Sequence, residues 1–91
     1  MTVVRVPPVL RAEAGGAREV EASGSTVREV LEDLRVRLPA LGSRVYDEGA
    51  IQPFVNVYLE GEDVRTLPEG FDAPVAANQT VILLPAMAGG C

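Results

Sequence analysis

The segment at residues 24–39, GSTVREVLEDLRVRLP, does most to narrow what this chain can fold into. Val27, Val30, Leu31, Leu34 and Leu38 recur at three- and four-residue spacing, so a helix here carries one apolar stripe that must be covered. Thr26 and Glu29 have the spacing of a capping box, in which side chains satisfy orphan backbone N–H groups at a helix start. Arg28 with Glu32 and Asp33 with Arg37 stand four apart on the polar side, and Pro39 follows the last apolar position. The pattern predicts one main helix over residues 26–38.

The flanking segments have a two-residue period instead. Near the start, Val4 and Val6 share one parity and Arg5 takes the other, while Pro7 and Pro8 limit further pairing. EAGGA supplies turn glycines at Gly15 and Gly16. AREVEAS then resumes alternation, with Arg18, Val20 and Ala22 against Glu19 and Glu21, so a first hairpin is expected. Residues 40–53, punctuated by Gly42, Gly49 and Pro53, read as a connecting loop. PFVNVYLEGEDV predicts a strand, a tight turn near Gly61 and a short return strand; Val55, Val57 and Leu59 share one face, Phe54, Asn56 and Tyr58 the other. TLPEGFDAPVAANQ is turn-rich. TVILLP is apolar on both faces, the pattern of a central strand.

A hairpin, a helix that crosses over, and a returning set of strands make an α+β fold of the β-grasp (ubiquitin-like) kind: a mixed sheet under one main helix, with the last strand beside the first. The expected organisation is a β-grasp domain at residues 1–85 and a flexible C-terminal Gly-Gly tail at residues 86–91.

Composition then excludes function classes. Net charge is −5, from thirteen acidic residues and eight arginines, which disfavours nucleic acid and anionic membranes as partners. The longest apolar run, VILLPAMA, falls well short of the ~20 residues needed to span a bilayer. MTVVRVPPVL lacks the marks of a secretory signal, and a single cysteine permits no internal disulfide, so a cytoplasmic protein is expected. There is no histidine and no lysine. The usual general base and the commonest zinc ligand are therefore missing, no metal or catalytic site is expected, and the chain reads as a non-enzyme.

The chemistry points to the end of the chain, PAMAGGC. Pro85 cannot continue a ladder, and Ala88, Gly89 and Gly90 thin the chain until only backbone remains. Such a tail can thread a narrow slot and bring a carboxyl to another protein's catalytic groups. The bland alternative is a frayed terminus with incidental glycines.

With that element order, FVNVYLEGEDV in mid-chain and VILLPAMAGG near the end, the sequence resembles the ThiS/MoaD-type ubiquitin-like sulfur carriers over nearly its whole length through Gly90. VPPVLR, the Gly15–Gly16 pair and LPAMAGG resemble the CysO subgroup in particular. The resemblance implies that an E1-like enzyme uses ATP to adenylate the Gly90 carboxylate, and that sulfur then converts it to a thiocarboxylate. The carrier itself binds no cofactor. In the CysO branch a thiocarboxylate-dependent cysteine synthase accepts the sulfur, and a zinc metallopeptidase releases the cysteine formed on the last glycine. Molybdopterin synthase's small subunit, or a ubiquitin-like binding module with an inert tail, are the alternatives. Thiamin, molybdopterin or a thiosugar remain open as sulfur destinations.

The family's working form ends at Gly-Gly, and Cys91 departs from it. It is an encoded extension that a protease removes, the pathway's product attached to Gly90, or an added residue. As a nucleophile it lacks any histidine or lysine to lower its thiol pKa. Phe54, Tyr58, Ile82 and Leu84 lie opposite the core parity of their strands, and with Met87 they are candidates for docking the adenylating partner. The competing expectation is that residues 66–79 cover that face.

Overall fold

The computed structural model describes residues 1–47, 50–51 and 55–85. β1 (Thr2–Arg5) pairs antiparallel with β2 (Glu19–Ala22), in register Thr2 with Ala22 through Arg5 with Glu19. α1 (Val27–Arg37) crosses over, followed by α2 (Pro39–Val45) and a two-stranded pair of β3 (Tyr46–Asp47) and β4 (Ala50–Ile51). β5 (Val55–Leu59) and β6 (Glu62–Asp63) form a hairpin, and β7 (Thr80–Pro85) closes the sheet. The five-stranded order is β2-β1-β7-β5-β6, with β7 parallel to β1 and antiparallel to β5. The mixed sheet and the central placement of TVILLP agree with the sequence expectation.

The helix begins as its capping residues require. Thr26 is the N-cap, and its Oγ1 accepts from the Glu29 N–H at 3.2 Å. The reciprocal arm is displaced by one residue: Glu29 Oε1 accepts from the Ser25 N–H at 2.7 Å. Asp33 pairs with Arg37 as the spacing predicts, while Glu32 accepts from Arg35 and Arg28 reaches Asp72. Val27, Val30, Leu31 and Leu34 are fully buried against the sheet's inner face, each contributing roughly 1.5–3 kcal/mol of transfer free energy.

Two expectations are corrected. Pro39 ends α1 but also opens α2, because proline at the first helical position loses only an N–H that has no helical partner there. Leu41 and Val45, four apart, turn inward, so this part of the expected loop is a second packed helix. The β1–β2 connection is likewise not a bare turn. Pro8–Ala14 form a 3-10 helix that buries Leu10 and Ala14 and ends at Gly15, whose φ of 68° suits glycine.

The turn-rich stretch packs beside α1 on the inner side. Val64, Ala73 and Val75 belong to the core; the Val27 N–H donates to the Ala73 carbonyl, and the Val75 N–H to that of Ser25. Among the described residues, no helix is long and apolar enough to cross a membrane.

Candidate functional site

The strand that leads to the tail occupies the middle of the sheet. β7 has a neighbour on each side, and Val81 and Leu83 point into the core, essentially inaccessible. Its start is pinned by the β5–β6 turn. Glu60 and Gly61 both have positive φ, at 53° and 94°, as a tight hairpin turn with the strands' own twist requires. From that position Glu60 accepts the Thr80 N–H on Oε2 at 2.6 Å and donates its own N–H to the Thr80 carbonyl at 3.1 Å. At the far end β7 reaches Pro85, opposite Val55.

Registry assembles the outer face. Glu19 pairs with Arg5, Arg5 with Ile82, Ile82 with Tyr58, and Tyr58 with Asp63, so these five residues form one row across all five strands. Leu84 lies on the same face of β7, opposite Asn56. Three of the sequence-derived docking residues, Tyr58, Ile82 and Leu84, therefore sit together. Leu84 is 41% exposed, high for a leucine in a central strand. Residues 66–79 do not supply the cover considered for this face, since their anchoring contacts run to α1 and the inner core. Phe54, Met87, Ala88, Gly89, Gly90 and Cys91 lie outside the described residues.

Charged groups flank the apolar centre. Arg5 and Glu19 stand 3.9 Å apart on one side. On the other, Arg65 binds both Asp63 and the Asn56 side-chain oxygen. The Arg65 guanidinium, helped by the Arg65 N–H, holds the Asp63 carboxyl below its usual range. This rim escapes sequence reading because Asn56 reaches the local Asp63–Arg65 pair only through the hairpin register; the available signal was a strand asparagine facing a post-turn Asp-x-Arg.

An apolar patch with polar rims on the outer face of β5 and β7 is a surface suited to contact with another protein. Among the described residues no cluster of His, Cys, Asp or Glu is arranged to hold a metal ion.

The profile of the ThiS family matches residues 4–90. The chain belongs to the ThiS family. This ThiS-family chain is 38% identical over 90 residues to the sulfur carrier protein CysO of Mycobacterium tuberculosis, covering 96% of each protein. It superposes on a chain of the Amycolatopsis orientalis BexX/CysO complex with a TM-score of 0.84 and 37% identity, covering 94% of this chain and 96% of that one. Small archaeal modifier protein 1 of Methanosarcina acetivorans gives a TM-score of 0.84 at 27% identity, covering 98% and 95%. As a ThiS-family, ubiquitin-like β-grasp protein, the chain is a small sulfur carrier and not a catalyst.

Proposed function

We propose that this carrier works through Gly90 in the manner of the CysO branch. An E1-like enzyme joins the Gly90 carboxylate to the AMP moiety of ATP and releases pyrophosphate. A sulfur donor then displaces AMP and leaves a C-terminal thiocarboxylate. A carboxylate is a poor electrophile, which is why activation must come first. The thiocarboxylate sulfur next attacks an activated serine derivative on a cysteine synthase, an S-to-N acyl shift links cysteine to Gly90, and a zinc metallopeptidase releases it. The chain binds no cofactor of its own, and ATP belongs to the activating partner. Its setting is the cytoplasm.

One observation carries this reading: the family match runs to Gly90, so it takes in the double glycine that follows the central strand β7 in sequence. The near-full-length similarity to CysO supports cysteine as the sulfur destination over molybdopterin. The Amycolatopsis CysO occurs in a complex with BexX, which supports a carrier that works by docking to a partner protein. Tyr58, Ile82 and Leu84 are the proposed docking centre, with Phe54 and Met87 as further contacts. Cys91 lies one residue past the family match and acts as a block to be removed before activation.

Intact mass tests the proposal. The full chain and a form ending at Gly90 are each incubated with ATP, an adenylating enzyme of this family and sulfide. Only the Gly90-ending form is expected to gain the oxygen-to-sulfur mass change. If neither form changes, the carrier mechanism through Gly90 is lost.

A further inference from the structure

On this acidic chain, a concave surface among the described residues reverses the sign of charge. The β1 ladder closes at the Arg5–Ile82 pair, whereas the β5 ladder continues to Val55–Pro85. Val6 directs its N–H to the Arg18 carbonyl at 2.8 Å, and its own carbonyl accepts from Arg11 Nε at 3.2 Å. Strand backbones alternate the side toward which their polar groups aim, so the next β1 residue facing β7 is Pro7, which has no N–H. The Arg5–Ile82 pair uses the Leu83 N–H; past it, β7 is paired on its β5 side and, among the described residues, has no ladder on the other.

A cleft of about 850 Å³ occupies that gap. Val6, Pro7 and residues 83–84 give it an apolar lining, while Arg5, Arg11 and Arg18 stand around it with Glu19 as the one acid. Glu19 is already engaged with Arg5. Arg28, Arg35, Arg37 and Arg65 each face a carboxylate elsewhere, but Arg11 and Arg18 make no ion pair among the described residues. On this side β7 offers the Leu83 carbonyl, while Pro85 has no N–H to donate, so the side chains around the cleft decide what it accepts. Here two arginines lacking ion pairs select for carboxylates and oppose a basic segment.

We infer that this cleft receives an extended acidic segment of the partner protein that acts on the tail, with its carboxylates on Arg11 and Arg18. The inference rests on the carrier reading, because the tail beyond Pro85 is what brings a partner to this end of β7.

The test is an amide NMR titration of the isotopically labelled chain with two blocked peptides, acetyl-Glu-Val-Asp-Val-Glu-amide and its all-lysine counterpart acetyl-Lys-Val-Lys-Val-Lys-amide. The acidic peptide is expected to shift the amides of Leu83, Leu84 and Arg18. Replacing both arginines (Arg11→Ala with Arg18→Ala) is expected to weaken it about tenfold, as loss of two partly exposed charge pairs allows. Arg11 also holds the Val6 carbonyl, so Arg18→Glu alone, at an exposed position, keeps the test available if the double variant does not fold. Equal response to both peptides, shifts centred on Asn56 and Tyr58, or no shift at millimolar peptide overturns the inference. No activating enzyme is present in this titration. Failure of the mass experiment with a positive titration removes the Gly90 mechanism and leaves the acidic-segment site; the opposite pair of results removes only the site.

Discussion

Gly42 has no room for a side chain. A Cβ built there would lie 2.2 Å from the Arg35 Cα and 2.9 Å from its backbone nitrogen, so α1 and α2 touch backbone to backbone at this point. The obstacle is main chain and cannot swing aside. Gly42→Ala is expected to destabilise the fold by about 1–3 kcal/mol, the usual range for overpacking a tight site, read as a lower urea midpoint. Ser43→Ala, one residue away and exposed, is expected to stay within about 0.5 kcal/mol of the parent. An unchanged midpoint for Gly42→Ala would mean that the two helices are not in contact there.

At the scale of elements, Asp33 ties α1 to the end of β2. Its carboxylate accepts the Ser23 N–H at 2.7 Å and also binds Arg37 on the next turn. The Ser23 hydrogen bond, followed by the Arg37 contact, holds this carboxyl below its ordinary value of 3.8. The folded state therefore binds the proton less readily than the unfolded chain. Asp33 contributes stability that is complete above the ordinary carboxylate range and is lost as pH falls through the lowered folded value. Chemical denaturation from neutral pH down into that range is expected to show a steeper acid loss for the parent than for Asp33→Asn. Parallel curves would remove Asp33 as a source of the acid sensitivity.

The same elements show what could be read in the residues. α1 is legible because its cap, stripe and i,i+4 pair agree, and β7 because a strand apolar on both faces has only the sheet's middle to occupy. α2 is hidden by Pro39, one residue serving as stop for one helix and first position of the next; the signal was Leu41 and Val45 four apart. The 3-10 segment Pro8–Ala14 is hidden in the same way behind Pro7 and Pro8, although Leu10 and Ala14 repeat the spacing. Of the candidate site, period-two alternation suffices to place Tyr58, Ile82 and Leu84 on one face. The cleft with Arg11 and Arg18 does not follow from any local pattern, because it is made where a ladder stops.

The whole molecule presents two different surfaces around β7: a closed inner face that supplies stability, and an outer face with an apolar centre and charged flanks. Substitutions should separate them. Tyr58→Ala and Leu84→Ser remove contact area from the outer face while leaving Val57, Val81 and Leu83 buried. Acting together in an activation assay with the Gly90-ending form, they are expected to raise KM about tenfold or more with kcat nearly unchanged, as removal of a docking anchor does. The thermal midpoint is expected to move by only a few degrees. An unchanged KM would show that the partner docks elsewhere.

β7 sits between β1 and β5, yet Val81 and Leu83 follow every other described core residue in chain order. During synthesis, then, β1 and β2 emerge early but wait for the strand that joins them to β5. A chain halted before Thr80 has two half-sheets with a missing middle, and its largest apolar surface stays open to proteases and chaperones. The sheet's completion is in this sense a check on length: a stalled fragment has no finished outer face, and under the proposed docking only a chain made at least to β7 would engage a partner there.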